Sequence, residues 1–114
     1  ITDAILGSAG AGDIGEYFPP EDPKWKNSRS EVFLLEAHNI AKRNRLRLIN
    51  IDLTIVCEEP KITPFKHVML EYLSKVLEID KTRINIKGKT SEGLGFVGRK
   101  EGIVAFAIVN AQKY

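Results

Sequence analysis

The most regular hydrophobic pattern in the chain lies between Ile49 and Ile55, where four aliphatic residues alternate with three polar ones. A period of two predicts a β-strand with one buried face. Pro60 ends this segment, because proline cannot donate a backbone hydrogen bond to a neighbouring strand. Shorter apolar runs predict two further strands, at Arg83–Lys87 and Ile103–Val109.

Three other segments carry apolar residues at helical spacing. The first covers residues 1–11. The second begins at Ser28–Glu31, which fits a capping box, and runs to Ala41. The third begins with Thr63 as N-cap and Pro64 in the first turn. This order of elements predicts a single α+β domain over residues 1–114, a two-layer sandwich of a mixed sheet with helices on one face.

Composition excludes several classes of protein. The 17 basic and 15 acidic residues give a net charge of +2, which is too balanced to indicate a nucleic-acid partner. Cys57 is the single cysteine, so no disulfide framework is possible. No apolar run is long enough to span a bilayer, so we expect no membrane partner.

Two stretches predicted as loops carry candidate chemistry. Residues 12–27 hold three of the five prolines, and residues 88–103 hold five glycines. On spacing alone, their glycines favour tight turns over a phosphate-binding loop. The second stretch also contains Lys89 and Arg99, which can neutralise phosphate, and hydroxyl donors beside Glu92, which can hold a hard cation. Its content therefore favours a metal-bound diphosphate.

Other reactive side chains offer less. His38 and His67 lie far apart in predicted helices, and neither belongs to a metal-ligand spacing such as H-x-x-x-H. Cys57 has no obvious base beside it in the sequence, which argues against a nucleophile. We therefore expect no zinc site built only from these residues.

Four stretches together resemble one family. Gly-Lys-Thr-Ser-Glu-Gly-Leu-Gly-Phe-Val-Gly-Arg, residues 88–99, followed by Glu-Gly-Ile at 101–103, resembles the motif near the C-terminus of 2-C-methyl-D-erythritol 2,4-cyclodiphosphate synthases. The stretches at 2–7, 12–23 and 60–64 resemble the family's helix, substrate loop and cytidine loop in the same order and spacing. The resemblance spans the whole chain.

The resemblance implies an activity. A 4-diphosphocytidyl-2-C-methyl-D-erythritol 2-phosphate would cyclise by attack of its 2-phosphate on the β-phosphorus, with release of CMP. This step belongs to non-mevalonate isoprenoid biosynthesis and makes the enzyme a phosphorus–oxygen lyase. The enzyme would work in a bacterial cytoplasm or a plastid-type organelle.

The resemblance also implies the site residues. The methylerythritol part contacts Asp13, Ile14 and Gly15, and a flexible segment closes over it, formed by Phe18, Pro19, Pro20, Glu21 and Asp22. The cytosine is wrapped by Cys57, Glu58, Glu59, Pro60, Lys61, Ile62 and Thr63. The substrate further contacts Lys89, Ser91, Phe96 and Arg99. Thr90 is implied as the catalytic residue that stabilises the transition state, and Glu92 as the ligand of magnesium or manganese.

Two departures from the family pattern qualify these expectations. The family's zinc is held by an Asp-x-His pair and another His, so we expect those ligands upstream of Ile1, in an N-terminal segment that is either truncated or missing from this sequence. Pro20 replaces a residue that is commonly aspartate, which removes any carboxylate role there. We expect residues 1–114 alone to show no turnover, and a non-catalytic nucleotide-binding or assembly module on the same scaffold is the alternative.

The resemblance implies a homotrimer with active sites between neighbouring subunits. The alternating strand Ile49–Ile55 and the apolar Phe96-Val97 pair point the same way, because they offer more hydrophobic surface than one layer of helices covers. We expect the segment 88–103, including Phe96 and Arg99, to lie near the trimer axis.

Overall fold

A computed structural model describes all 114 residues as five helices and three strands. The helices are α1 (Thr2–Ser8), α2 (Ile14–Tyr17), α3 (Ser30–Arg43), α4 (Lys66–Leu77) and α5 (Gly95–Gly98). The strands are β1 (Leu46–Val56), β2 (Ile84–Lys89) and β3 (Val104–Lys113). None of the helices combines the length and the apolar character needed to cross a membrane.

The sheet is mixed and has the order β2-β1-β3. The central strand β1 runs parallel to β2 and antiparallel to β3. Helix α4 forms the crossover between the two parallel strands, as such a connection requires. This arrangement confirms the predicted α+β class and the mixed sheet.

One face of the sheet packs against helices α1, α3 and α4 and forms the core. Leu48, Ile51 and Leu53 supply the buried face of β1. The predicted alternation placed Ile49 on that face, but the pairing of β1 with β3 shifts register between Leu48 and Asn50. An irregularity of this kind inserts an extra residue and changes which side chains face inward, so Leu48 is buried instead.

Two predicted helix starts are wrong in detail. The Ser28 N–H donates to the Trp25 carbonyl in the preceding turn, and α3 begins at Ser30 after Arg29, without a side-chain cap. Thr63 is not an N-cap either, because it lies inside a 3₁₀ turn, Thr63–Phe65, that precedes α4.

The two predicted loops contain short helices. Asp13 accepts a hydrogen bond from the Glu16 N–H and starts α2, and Asp22 accepts one from the Lys24 N–H and starts a 3₁₀ turn at Pro23–Trp25. Each aspartate satisfies a backbone donor that would otherwise face solvent at a helix start. The stretch 88–103 likewise includes the end of β2 and the helix α5.

Candidate functional site

The carboxyl ends of β1 and β2 lie side by side, because the two strands are parallel and Val56 pairs with Lys89. The Cys57 N–H extends the ladder by donating to the Lys89 carbonyl at 2.9 Å. The segment Cys57–Thr63 and the glycine-rich segment after Gly88 therefore leave the sheet together.

These two segments share a cavity of about 170 Å³. Its lining residues are Cys57, Glu58, Lys61, Ile62, Thr63, Gly88, Lys89 and Thr90. The structure thus brings most of the residues assigned to cytosine together with Lys89 and the catalytic candidate Thr90.

Gly88 lines the cavity, although the sequence pattern predicts no role for it. A Cβ built on Gly88 would lie 2.8 Å from Cβ of Ile62, which is closer than real Cβ atoms approach one another. The bare backbone lets the segment Cys57–Thr63 pack directly over the end of β2. The motif includes this glycine, but only the packing against Ile62 shows what it does.

The cavity wall carries positive charge. Lys61 and Lys89 both line it, and neither forms an ion pair or a side-chain hydrogen bond within the chain. The Thr90 hydroxyl oxygen accepts a hydrogen bond from the Glu92 N–H at 3.2 Å. The hydroxyl proton of Thr90 therefore stays available for a ligand oxygen.

Residues 90–94, which we name the phosphate loop after the chemistry that their sequence predicts, have an unusual backbone. Glu92 has φ 54° and Gly93 has φ 77°, both in the left-handed region. Within the loop, the Ser91 hydroxyl donates to the Leu94 carbonyl at 2.7 Å. The Glu92 side chain is exposed and has no hydrogen bond or ion pair, so its carboxylate is free to bind a cation.

Glu58 faces this loop with its carboxylate. The Ser91 N–H donates to Glu58 Oε1 at 3.0 Å, and the Gly93 N–H donates to the same oxygen at 3.4 Å. The Ser91 N–H bond holds the pKa of Glu58 below its ordinary value of 4.5, because it stabilises the charged carboxylate. The neighbouring Glu59 instead pairs with Lys100 at the surface, at 2.8 Å.

The residues assigned to the methylerythritol part lie elsewhere in the chain. Ile14 lines a second cavity, of about 490 Å³, which the first cavity's residues do not share. The Ile14 N–H donates to Asp3 Oδ1 at 2.8 Å, an anchor that the sequence analysis did not identify. The carboxylates of Asp13 and Asp22 each accept a hydrogen bond from a backbone N–H group. The cavity that Thr90 lines includes none of these residues.

The remaining members of the flexible segment are divided between core and surface. Phe18 is buried, with its ring centroid 4.6 Å from those of Trp25 and Phe33. Pro20 and Glu21 are exposed, whereas Pro19 is partly buried. Phe18 thus anchors the segment while its middle faces solvent.

Arg99 and Phe96 also lie outside the first cavity. Arg99 forms two hydrogen bonds with the carboxylate of Glu101, at 2.9 and 3.2 Å, so within the chain its charge is directed to Glu101. Phe96 packs over Gly102, where a Cβ would lie 3.1 Å from the ring.

Comparison with known proteins places the chain in a family. The YgbB family matches residues 1–112. The 2-C-methyl-D-erythritol 2,4-cyclodiphosphate synthase of Anaplasma phagocytophilum (strain HZ) is 51% identical over 109 residues, which are 96% of this chain and 65% of that protein. The bifunctional enzyme IspD/IspF of Bartonella bacilliformis is 53% identical over 107 residues, which are 94% of this chain and 27% of that protein.

A solved structure is similar over the whole chain. The complex of Plasmodium falciparum IspF with CDP has a TM-score of 0.86 and 36% sequence identity, and the match covers 99% of this chain and 68% of that one. This chain therefore spans about two-thirds of a single-function relative and about a quarter of a bifunctional one.

The mixed sheet, its single helical layer and the cavity between two strand ends define the class of the chain, a small α+β domain with a cavity at the carboxyl ends of its parallel strands. Within that class, the chain belongs to the YgbB family. The resemblance drawn from residues 88–99 to the cyclodiphosphate synthases is confirmed.

Proposed function

We propose that the protein converts 4-diphosphocytidyl-2-C-methyl-D-erythritol 2-phosphate to 2-C-methyl-D-erythritol 2,4-cyclodiphosphate and CMP. The reaction would serve non-mevalonate isoprenoid biosynthesis, in a bacterial cytoplasm or a plastid-type organelle. The observation that carries the proposal is the single cavity shared by Cys57–Thr63 and Gly88–Thr90. A cytidine diphosphate ester requires a nucleoside subsite directly beside a cationic phosphate subsite, and Lys61 and Lys89 supply the cations. The names of the relatives support the same assignment.

The proposed reaction is an intramolecular phosphoryl transfer, so the enzyme would be a phosphorus–oxygen lyase. An oxygen of the 2-phosphate bonds to the β-phosphorus, and the bond from that phosphorus to the α–β bridging oxygen breaks. CMP leaves with the electron pair. Because the substrate carries its own nucleophile, the protein has to position two phosphate groups and stabilise negative charge. Lys61 and Lys89 would neutralise the diphosphate, and Thr90 would donate its proton to the transferring phosphate.

The free carboxylate of Glu92 fits magnesium or manganese, since these cations prefer a few carboxylates and complete their shell with phosphate oxygens and water. When bound, the cation would neutralise the α- and β-phosphates. Zinc does not fit residues 1–114, because no three His, Cys, Asp or Glu side chains cluster in them. We keep zinc as a proposal whose ligands would lie upstream of Ile1, and none of the steps above uses it.

We also propose that the enzyme is a homotrimer. The face of the sheet opposite the helices exposes Phe106 and Ile108, whose relative exposures are 62% and 65%. Ile103, the residue immediately before the same strand, is 59% exposed. An apolar row of this kind on one sheet face suits a contact between identical subunits. Such an assembly would let the segment Asp13–Asp22 of one subunit approach Thr90 of a neighbour.

The experiment that tests the function uses the full-length protein with the cytidine diphosphate ester and manganese. We expect stoichiometric formation of CMP and the cyclic diphosphate, followed by ³¹P NMR, and competitive inhibition by CDP. CDP binding measured by calorimetry without any CMP release would favour the alternative, a nucleotide-binding module without catalysis. Absence of both would contradict the cavity assignment itself.

A further inference from the structure

Glu58 connects the two sides of the cavity by hydrogen bonds. Its Oε1 accepts the Ser91 N–H at 3.0 Å, lies 3.1 Å from the Ser91 hydroxyl oxygen, and accepts the Gly93 N–H at 3.4 Å. The donors follow Glu58 by 33 and 35 positions in the sequence. A single carboxylate oxygen of the segment Cys57–Thr63 thus accepts hydrogen bonds from two backbone N–H groups of the turn at the centre of the phosphate loop.

The residue between those two donors is Glu92. Its φ of 54° is in the left-handed region, which side chains other than glycine rarely occupy because Cβ approaches the backbone. Such a conformation persists only where surrounding interactions stabilise it. The two N–H bonds to Glu58 flank Glu92 on either side and provide that stabilisation.

The Glu58 carboxylate lies in the wall of a cavity that also carries the cationic side chains of Lys61 and Lys89. A free carboxylate on such a wall would repel a diphosphate. Backbone donors from Ser91 and Gly93 engage its charge and make it a structural acceptor. The adjacent Glu59, which pairs with Lys100 at the surface, makes no contact of this kind.

We propose that Glu58 is a positioning residue that holds the Ser91–Gly93 turn so that the Glu92 carboxylate faces the metal-bound diphosphate. The resemblance assigned Glu58 only to the cytosine-binding segment. This inference rests on the proposed function for its catalytic consequence. Its structural part, the dependence of the turn on Glu58, stands independently of catalysis.

The test compares variants of the full-length protein. Glu58→Ala removes the acceptor, Glu58→Met removes it while keeping side-chain length, and Glu58→Gln keeps an amide oxygen that can accept the same bonds. We expect the Ser91 and Gly93 amides to exchange with solvent roughly tenfold faster in the Ala and Met variants, because they lose hydrogen-bond protection. The Gln variant should retain most of the protection.

The kinetic readout is the manganese concentration that gives half-maximal rate. It should rise about tenfold or more in Glu58→Ala and stay near the wild-type value in Glu58→Gln, as expected when the support of a metal ligand is lost. CDP affinity without metal should change much less. In a Glu92→Gln background, Glu58→Ala should raise the manganese requirement little further, because Glu58 acts through Glu92.

Asp80→Ala is the matched control. Asp80 accepts the Thr82 N–H at 2.9 Å and the Thr82 hydroxyl at 2.8 Å, the same kinds of bond, in the 3₁₀ turn Lys81–Arg83 that precedes β2 and lies away from the phosphate loop. This variant should lower stability and leave the manganese requirement and the Ser91 and Gly93 exchange rates unchanged.

The outcomes separate the two proposals. An active wild-type enzyme whose Glu58→Ala and Glu58→Met variants keep the manganese requirement and the amide protection would overturn the role of Glu58. A full-length protein that releases no CMP would contradict the proposed function, and the amide exchange would still decide the structural role. Faster amide exchange in Glu58→Ala and Glu58→Met, with protection retained in Glu58→Gln, supports the structural role of Glu58. Equal exchange in all variants rejects that role.

Discussion

Gly98 packs directly against the backbone of Gly93. A Cβ built on Gly98 would lie 2.5 Å from the Gly93 carbonyl oxygen, and this neighbour is backbone that no side-chain rotation can move aside. The contact folds helix α5 back onto the phosphate loop. Gly98 is therefore required by this close approach, and Gly93 by its φ of 77° in the turn.

The first prediction follows from this contact. Gly98→Ala should destabilise the folded protein by about 1–3 kcal/mol, because the loop has to move away from α5 to admit the methyl group. CDP affinity should fall with it, since Thr90 and the cavity wall lie on the displaced segment. Urea unfolding at equilibrium and calorimetry with CDP measure the two effects.

Gly7 provides the matched control for this substitution. A Cβ on Gly7 meets nothing within 4 Å, and the residue lies inside helix α1. Gly7→Ala should therefore be neutral or stabilise by roughly 0.5–1 kcal/mol, because alanine favours the helix. Equal stability changes in the two variants would show that crowding at Gly93 is not the cause.

The second prediction concerns the carboxylate of Glu92. In the full-length enzyme, Glu92→Gln should fold and assemble normally, because its side chain makes no hydrogen bond or ion pair. Its apparent metal affinity should fall by about tenfold to 100-fold, since a neutral amide is a poorer ligand for a hard cation. Part of the lost rate should return at high magnesium or manganese. Unchanged rate and metal dependence would make Glu92 a surface charge.

Thr90→Val gives a third prediction, with a different pattern. Valine keeps the shape of threonine but removes the proton that would be donated to the transferring phosphate. The rate constant should fall by roughly 100-fold, the usual effect of removing one donor to a developing negative charge. High metal concentration should not restore it. Recovery by metal equal to that of Glu92→Gln would mean that Thr90 supports the cation instead.

Much of the sheet could be predicted from the sequence, because aliphatic and polar residues alternate along the strand Ile49–Ile55. The pattern could not locate the register shift near Leu48, which depends on pairing with β3. It also could not show that Asp13 and Asp22 start short helices inside the proline-rich loop, since aspartate suits turns and N-caps equally.

The candidate site likewise has a part that the sequence predicts and a part that it does not. Thr90 and Glu92 could be assigned by resemblance, because their motif is contiguous. The bonds from Ser91 and Gly93 to Glu58 could not be predicted, because they link positions more than thirty residues apart. They arise only once β1 and β2 pair in parallel with Val56 opposite Lys89. Local sequence does not specify that register.

The fourth prediction concerns assembly. Phe106 lies opposite Thr54 and Ile108 opposite Asp52 on the exposed sheet face, so lysine at both apolar positions would place charges across the proposed trimer contact. The full-length Phe106→Lys, Ile108→Lys variant should be monomeric by light scattering at micromolar concentration. Val68→Lys, at an equally exposed apolar position of helix α4, should leave the trimer intact. A stable wild-type monomer would contradict the trimer.

The fifth prediction concerns His38, which is buried in α3 with neither ring nitrogen hydrogen-bonded. Burial, aided by the positive charge of Lys42, lowers the pKa of His38 below 6.5, and Glu78 opposes the shift only partly. The unfolded chain therefore binds a proton more readily than the folded one in the range just below pH 6.5. Stability from this residue is complete above that pH and falls as the pH drops toward the folded-state pKa.

His38→Gln removes the titrating ring. As the pH falls below 6.5, the wild type should therefore lose more unfolding free energy than this variant does. Urea unfolding at several pH values between 7.5 and 5 measures it. Lys42→Met should make the wild-type loss smaller, because it removes the neighbouring cation and leaves Glu78 free to stabilise the imidazolium. Parallel pH curves for wild type and His38→Gln would show that burial of the imidazole does not disfavour its protonation.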